Sequence, residues 1–546
     1  MEAMIAPALA AQPELVLAMG DPGFYPHEPA GVELRETHIS WVFLAGERAY
    51  KLKKPLRLAF LDYSTPERRR AMCQAEVRLN RRLAPEVYLG VKAIVRRDGE
   101  LRLAPEQADH AVDYVVEMRR YDERRTLAAL TERGELSPAQ IEAVARRLVR
   151  FHAEATRVDA AEAAVARPRR ALQSTLEDLY GLAEHEVPPE ELAQCERFAA
   201  STFAARRAEL YSRLRAGLVR DCHGDLRLEH VLVDGSVAAV DCLEFDPALR
   251  ETDVAADLSF LVMELEAHGE GAHADALIAA YEAAGGDPGE RSLLAFFAFA
   301  RALVRAKVAF LRAGQLSEPE AAARARREGR DLIRLARRLR WRSRSPLALV
   351  VCGPPASGKS HLAERIASDS GWARIASDQV RKRLAGVDPQ TPVGPSRYAK
   401  ALTGRTYQEL ARLARERLER DGGVVVDATF RRAEERARLR RALGPADALF
   451  LECSVPEAEL ARRAAQRARR PSESDAGPEI ALRLAREFEP LDEVPATAHL
   501  MVRTDAPLPG LLALLEAWLD DRAVGQPPSA TGLRRKRARQ LSEQKP

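Results

Sequence analysis

Apolar and polar residues alternate in three stretches near the start of the chain, HISWVFLAG (38–46), RAYKLKKP (48–55) and VDYVVEM (112–118). That period of two predicts half-buried strands. Between them, Pro66–Leu83 repeats at helical spacing, so residues 35–120 read as a sheet with one helix. Residues 120–340 read as mostly helical, broken by short apolar runs near 219–245. The segment RRLRWRSRSP (337–346) is dense in arginine and ends in proline, which predicts a linker. From Leu347 the pattern changes to an apolar strand, a glycine loop and a helix, and this alternation repeats to about Leu519, the signature of an α/β domain with a parallel sheet.

The linker divides the chain into an N-terminal extension (1–34), a first domain (35–336), a second domain (347–522) and a tail (523–546). Of the 546 residues, 46% are apolar and 30% charged, enough for well-filled cores. The longest apolar run, Leu293–Ala300, is too short to cross a bilayer, and the N-terminus has an acid at Glu2 and no basic region, so neither a membrane anchor nor a secretory signal is expected. Six scattered cysteines without a CxxC pair fit reduced thiols, and a cytoplasmic location is expected. The net charge of +4 is local: residues 526–546 hold six basic side chains against one acid, leaving the rest near neutral. The tail reads as disordered and basic, with nucleic-acid contact a secondary reading.

The strongest chemical signal is GPPASGKS (Gly353, Pro354, Pro355, Ala356, Ser357, Gly358, Lys359, Ser360), which follows the buried strand LALVVC and opens a helix. Glycines let backbone N–H groups wrap phosphate oxygens, and the helix N-terminus adds partial positive charge. Lys359 is expected to reach the β- and γ-phosphates of ATP, with the Ser360 hydroxyl on Mg²⁺. GGVVVDATF (422–430) is a second buried strand ending in Asp427, where an acid can hold a metal-bound water. Between the two, IASDQVRKRLAG sets Asp378 and Arg381 one helical turn apart, a base for a hydroxyl and a cation for an anionic substrate group.

With LECSVPEAELARRAAQRARR (451–470), these segments resemble the 5′-kinase domain of the polynucleotide-kinase family, which is related to gluconate-kinase-like P-loop proteins. The resemblance covers about 347–505 and implies a three-layer αβα P-loop fold. It implies Asp378 as general base, Arg381 as substrate contact, and Arg467 on a lid over the phosphates with Arg463 on the same helix face. It does not imply that the accepting hydroxyl belongs to a nucleic acid.

A second constellation lies in the first domain. LVRDCHGDLRLEHVLVDG (218–235) contains H-G-D-L, with Asp225 placed to orient or deprotonate an acceptor hydroxyl and His223 to brace the loop. Asp241 follows at a strand end as the expected metal-holding acid. Lys51 and Lys53 share a strand face, and Glu76 on the next helix can pair with one of them. The order Lys51, Glu76, HGD, Asp241 resembles the aminoglycoside phosphotransferase-like members of the bilobal protein-kinase-like fold, over about 35–335, with Lys51 as the phosphate lysine. The sequence departs from that pattern twice. Only Gly46 stands where a glycine-rich cover loop belongs. His230 replaces the metal-binding Asn, and imidazole suits Mg²⁺ poorly, so Glu229, Glu244 and Asp246 come into question as replacement oxygens. His152 reads as a packed histidine, and Asp253 and Asp257 as acids bracing the catalytic segment.

Taken in order, THISWVFLAGERAYKLKKP, HGDLRLEHV and ASDQVRKRLAG resemble a bacterial family that fuses an aminoglycoside phosphotransferase-like domain to a P-loop kinase domain. The resemblance implies an ATP- and Mg²⁺-dependent phosphotransferase acting on a hydroxyl, with a small-molecule acceptor favoured. Two alternatives remain: an ATP-driven switch with an inactive first domain, and a nucleic-acid end kinase aided by the tail.

Overall fold

The computed structural model describes residues 13–58, 61–158, 161–386, 400–444, 447–467 and 478–525. Within these, the chain forms two compact units. One contains the chain up to Ala171, Glu209–Gly289 and Val304–Asp331; the other contains Leu172–Ala208, Glu290–Leu303 and the chain from Leu332.

The first unit has a six-stranded antiparallel sheet of β1 (Val32–Glu36), β2 (Ser40–Ala45), β3 (Arg48–Lys53), β4 (Tyr88–Arg97), β5 (Glu100–Pro105) and β6 (Ala111–Arg119), in the order β1-β2-β3-β6-β4-β5. Helix α1 (Pro66–Asn80) starts at a Thr65 cap that accepts the Arg68 N–H, and it packs on β4 and β6. Strand alternation puts Lys51 and Lys53 on the face that meets Glu76 of α1. The apolar runs near 219–245 become two small hairpin-like sheets, Val219–Asp221 with Glu251–Asp253 and Val231–Asp234 with Ser236–Ala239. They flank the HGD loop, and α2 (Val254–Ala267), apolar almost all round and buried, lies beneath it. This is the mixed architecture of a kinase-like fold.

The second unit carries a five-stranded parallel sheet. Its strands are β7 (Leu347–Cys352), β8 (Ala373–Ala376), β9 (Gly423–Asp427), β10 (Asp447–Ser454) and β11 (His499–Arg503), in the order β8-β9-β7-β10-β11. Every residue of β7 and β9 is buried, which explains why both read as unbroken apolar runs rather than alternating ones. One core fills each face of the sheet. β7 is central, with Val351 opposite Asp427 of β9, so the P-loop and the acid leave the same sheet edge from adjacent strands. This arrangement is a P-loop NTPase fold.

The segment 337–346 differs from the expected linker. The helix Pro319–Arg342 runs through most of it, leaving only 343–346 as connection. Arginine is a good helix former, and this helix is amphipathic: Trp341 and Arg340 are buried, with Arg340 paired to Glu516 at 2.7 Å. All six cysteines are free and buried. Among the described residues no helix is long and apolar enough to cross a membrane. The basic segment 526–546 lies outside the described residues.

Candidate active sites

The P-loop is built from backbone that only its own residues tolerate. Gly353 has φ +140°, and a side chain there would meet the Cys453 carbonyl at 2.6 Å. Gly358, at φ +85°, caps α3 (Lys359–Ser370) where a Cβ would lie 2.9 Å from the Thr504 hydroxyl. Thr504 donates that hydroxyl to the Ser357 carbonyl and so ties the end of β11 to the loop.

Three features of the loop call for an anionic ligand. The N–H groups of Gly358, Lys359 and Ser360 donate to no backbone acceptor among the described residues, as expected at an uncovered helix start. The Ser357 hydroxyl is buried without a hydrogen-bond partner among the described residues. Lys359 is only 8% exposed, yet its ammonium has no hydrogen-bond or ion-pair partner among the described residues. A nearly buried, uncompensated cation is costly unless something else neutralises it.

Asp427 is buried at the end of β9, and its Oδ2 accepts from Arg374 at 2.7 and 3.1 Å. Its Oδ1 has no partner among the described residues, nor does the Ser360 hydroxyl. This donor set of hard oxygens beside the P-loop fits a divalent cation that also touches phosphate. Arg374 is a neighbour that sequence reasoning missed, because nothing in ARIA distinguishes an arginine aimed at Asp427 from a solvated one.

Helix α4 (Ser377–Leu384) places Asp378 and Arg381 together: Arg381 Nη1 donates to Asp378 Oδ1 at 2.9 Å. Arg463, on α5 (Glu457–Arg467), pairs with Glu459 at 2.6 Å and donates to the Thr504 carbonyl at 3.0 Å. Its Nη1 lies 3.2 Å from where a Gly358 side chain would begin. Arg463 is therefore packed against the P-loop. Arg467 sits in the last turn of α5, immediately before the undescribed segment 468–477.

In the first unit, Glu76 does not choose between the lysines. Its Oε1 is 2.9 Å from Lys51 Nζ and its Oε2 2.6 Å from Lys53 Nζ. Lys51 also reaches Asp241 at 2.7 Å, and Lys53, fully buried, also bonds Glu244. Lys51 holds the Asp241 carboxyl well below the usual carboxylate range. Asp241 sits at φ +62°, an uncommon conformation for a non-glycine residue, and its N–H donates to the Tyr88 hydroxyl at 3.1 Å. Lys53 and Glu244 were missed as a pair because they are 191 residues apart.

The HGD loop hangs on one acid of α2. Asp257 accepts the N–H of Gly224 at 2.8 Å and of His223 at 3.2 Å, and it faces His152 Nε2 at 3.2 Å. Burial pushes its pKa up, but the His152 bond and the other donors outweigh it, leaving the carboxyl at about 2. His152 is buried and bonded on its other nitrogen to the Tyr281 hydroxyl at 2.8 Å, a packing role. His152, Cys222 and Asp257 lie close enough to suggest a metal cluster, but the bonds just described already use the acid and the imidazole. Asp253 caps α2 and pairs with Arg213 at 2.7 Å. Asp225 is left partly exposed at the loop tip, its carbonyl bonded to His230 Nδ1 at 2.8 Å.

Of the replacement oxygens, Glu244 is committed to Lys53 and to Tyr63, whose hydroxyl donates to it at 2.7 Å, and Asp246 caps the short helix Pro247–Arg250. Glu229, half exposed, pairs with Arg227.

A family model described as the phosphotransferase enzyme family matches residues 45–296, and one described as an AAA domain matches 349–491. The uncharacterized protein Rv2004c of Mycobacterium tuberculosis is 35% identical over 464 residues, spanning 83% of this chain and 89% of that one. Among solved structures, a gluconokinase from Sinorhizobium meliloti aligns with 33% of this chain and 95% of its own, at 22% identity and TM-score 0.25. A choline/ethanolamine kinase family protein from Mesorhizobium loti aligns with 59% of this chain and 99% of its own, at 15% identity and TM-score 0.32.

Proposed function

We propose, on the premise that this chain belongs to the family joining a phosphotransferase enzyme domain to a P-loop AAA kinase domain, that its P-loop site moves the γ-phosphoryl group of ATP to a hydroxyl of a small acceptor carrying an anionic group. The observation that carries this reading is the nearly buried, unpartnered ammonium of Lys359 beside the orphaned N–H groups of the loop. A triphosphate supplies what both lack.

In this reading the loop amides and Lys359 hold the β- and γ-phosphates and spread the charge that builds up during transfer. Ser360 and Asp427 would hold Mg²⁺, which would supply positive charge to neutralise the phosphates. Asp378 accepts the proton of the attacking hydroxyl, and Arg381 anchors the acceptor's anionic group. Their mutual bond at 2.9 Å keeps both aimed at one place before the acceptor arrives. Arg467 closes over the phosphates from the end of α5.

A second transfer site in the first unit is favoured by one observation: Lys51, Glu76 and Asp241 are already drawn together at 2.7–2.9 Å, with Asp225 partly exposed on the HGD loop. There Asp225 would orient an acceptor and Lys51 would hold phosphate.

Asp378→Asn separates a kinase from a nucleotide switch. A kinase keeps its ATP affinity within about threefold and loses turnover by roughly 10²-fold or more, the usual weight of a general base. Unchanged turnover overturns the proposed role.

A further inference from the structure

The hairpin that follows the HGD loop has a face that the core of the first unit does not use. Its strands, Val231–Asp234 and Ser236–Ala239, pair Leu232 with Ala238 and Val233 with Val237. Leu232 is buried in a core with Ala238 packed against it, so strand alternation turns Val233 and Val237 to the opposite side. Both valines are only half-buried, and they line a cleft of about 830 Å³ shared with the helix Pro138–Glu154. That helix adds Val149 and three arginines, Arg146, Arg147 and Arg150, and among the described residues no acid lines the cleft. Arg146 faces Glu142 at 3.4 Å, where both side chains are exposed. Arg147 donates to the Arg82 carbonyl at 2.7 Å. Arg150 makes no hydrogen bond or ion pair among the described residues. Burial and the charge of Arg150 pull the Arg147 pKa below the usual arginine value, against the pull of Glu154.

We infer that this cleft binds a small organic anion, a phosphate or carboxylate group carried on an apolar body. Three guanidinium groups share a space without an acid, and like charges at helical spacing repel one another. An oxyanion removes that repulsion and accepts from the planar donors of arginine. Val149, Val233 and Val237 cover the apolar body. The volume lies in the range of roughly 300–1,000 Å³ that small-molecule sites occupy. The occupant also touches the chain that leads to the chemistry of the first unit. The hairpin starts directly after His230 and ends at Ala239, two residues before Asp241. The Val240 N–H donates to the His230 carbonyl at 3.0 Å and closes its base. A ligand that joins hairpin to helix therefore steadies the segment that carries Asp241.

The probe is phenyl phosphate, titrated by calorimetry into full-length Lys359→Ala protein, in which phosphate binding at the P-loop is weakened. Saturable binding is expected. Adding Arg146→Gln and Arg150→Gln is expected to weaken it by at least about tenfold, because both contacts are charge-assisted. Both arginines are exposed, so the melting midpoint is expected to hold. Val237→Asp, which sets a carboxylate among the arginines, is expected to weaken binding likewise and decides the matter if the arginine variant does not fold. Inorganic phosphate is expected to bind roughly tenfold more weakly than phenyl phosphate, because it leaves the valines wet. Vesicles of phosphatidylserine and phosphatidylcholine separate a free anion from a lipid headgroup, and no binding to them is expected. Absence of phenyl phosphate binding, equal affinity in the folded variants, or an affinity no better than that of inorganic phosphate overturns the inference. Arginine-dependent binding to vesicles without binding of phenyl phosphate assigns the arginines to a membrane surface and overturns it too.

Discussion

Arg374 holds one oxygen of the Asp427 carboxylate with two donors, at 2.7 and 3.1 Å, and leaves the other oxygen open beside the P-loop. The pair thus presets the acid for a cation without occupying it fully. Arg374→Ala strands a carboxylate that is 2% exposed, and breaking such a pair costs on the order of 3 kcal/mol. The expected result is a lower thermal midpoint for the nucleotide-free protein, partly restored by Mg²⁺–ATP. Melting curves with and without nucleotide check this, and an unchanged nucleotide-free midpoint counts against it.

Lys359 makes no bond within the described protein and is a nearly buried cation, so Lys359→Ala is expected not to lower the stability of the nucleotide-free protein. Its loss is expected to weaken ATP binding at the P-loop by at least about tenfold, since a charge-assisted phosphate contact is worth on the order of 1.5–3 kcal/mol. Calorimetry on nucleotide binding and on unfolding separates the two effects.

Lys53 is the opposite case. It is fully buried between Glu76 and Glu244, so Lys53→Met leaves buried Glu244 without its cation and Glu76 with Lys51 alone. The expected cost is about 3–5 kcal/mol, seen as a lowered first transition in denaturant. Lys51→Met is expected to cost less, because Lys51 and Asp241 lie at the opening of the site and Lys53 still holds Glu76.

The HGD loop predicts an acid limit to stability. Burial lowers the His223 pKa to about 4, against the opposing pull of Asp257. Unfolded histidine takes up a proton near pH 6.5, so between 6.5 and 4 the unfolded chain binds the extra proton. Stability contributed by the neutral ring is therefore full above pH 6.5 and falls by about 3 kcal/mol as pH drops to 4. His223→Gln should flatten that slope in a pH series of unfolding curves; an unchanged slope assigns it elsewhere.

The sequence made some of this legible and not the rest, for physical reasons. A P-loop is local: its strand, glycines, lysine and helix lie within a few residues, and the glycine positions follow from backbone geometry alone. Strand alternation likewise put Lys51 and Lys53 on one face. Glu76 was legible as a partner for one of them, but the bond from Lys53 to Glu244 does not follow from spacing, because Glu244 comes from a segment 191 residues away. Arg374 was missed for the same reason. The arginine-rich run at 337–346 was misleading because charge and a terminal proline resemble a linker, whereas Trp341 and the Arg340–Glu516 pair make most of it a packed helix.

The most direct test follows the γ-phosphoryl group itself. The wild type, Lys359→Ala and Asp225→Ala are each incubated with γ-labelled ATP, Mg²⁺ and a pool of small hydroxyl compounds, and the labelled products are separated. Label on an alcohol in the wild type and in Asp225→Ala, with that product sharply reduced in Lys359→Ala, is the predicted result. Transfer that survives Lys359→Ala undiminished, or label found on no acceptor with any of the three proteins, contradicts it.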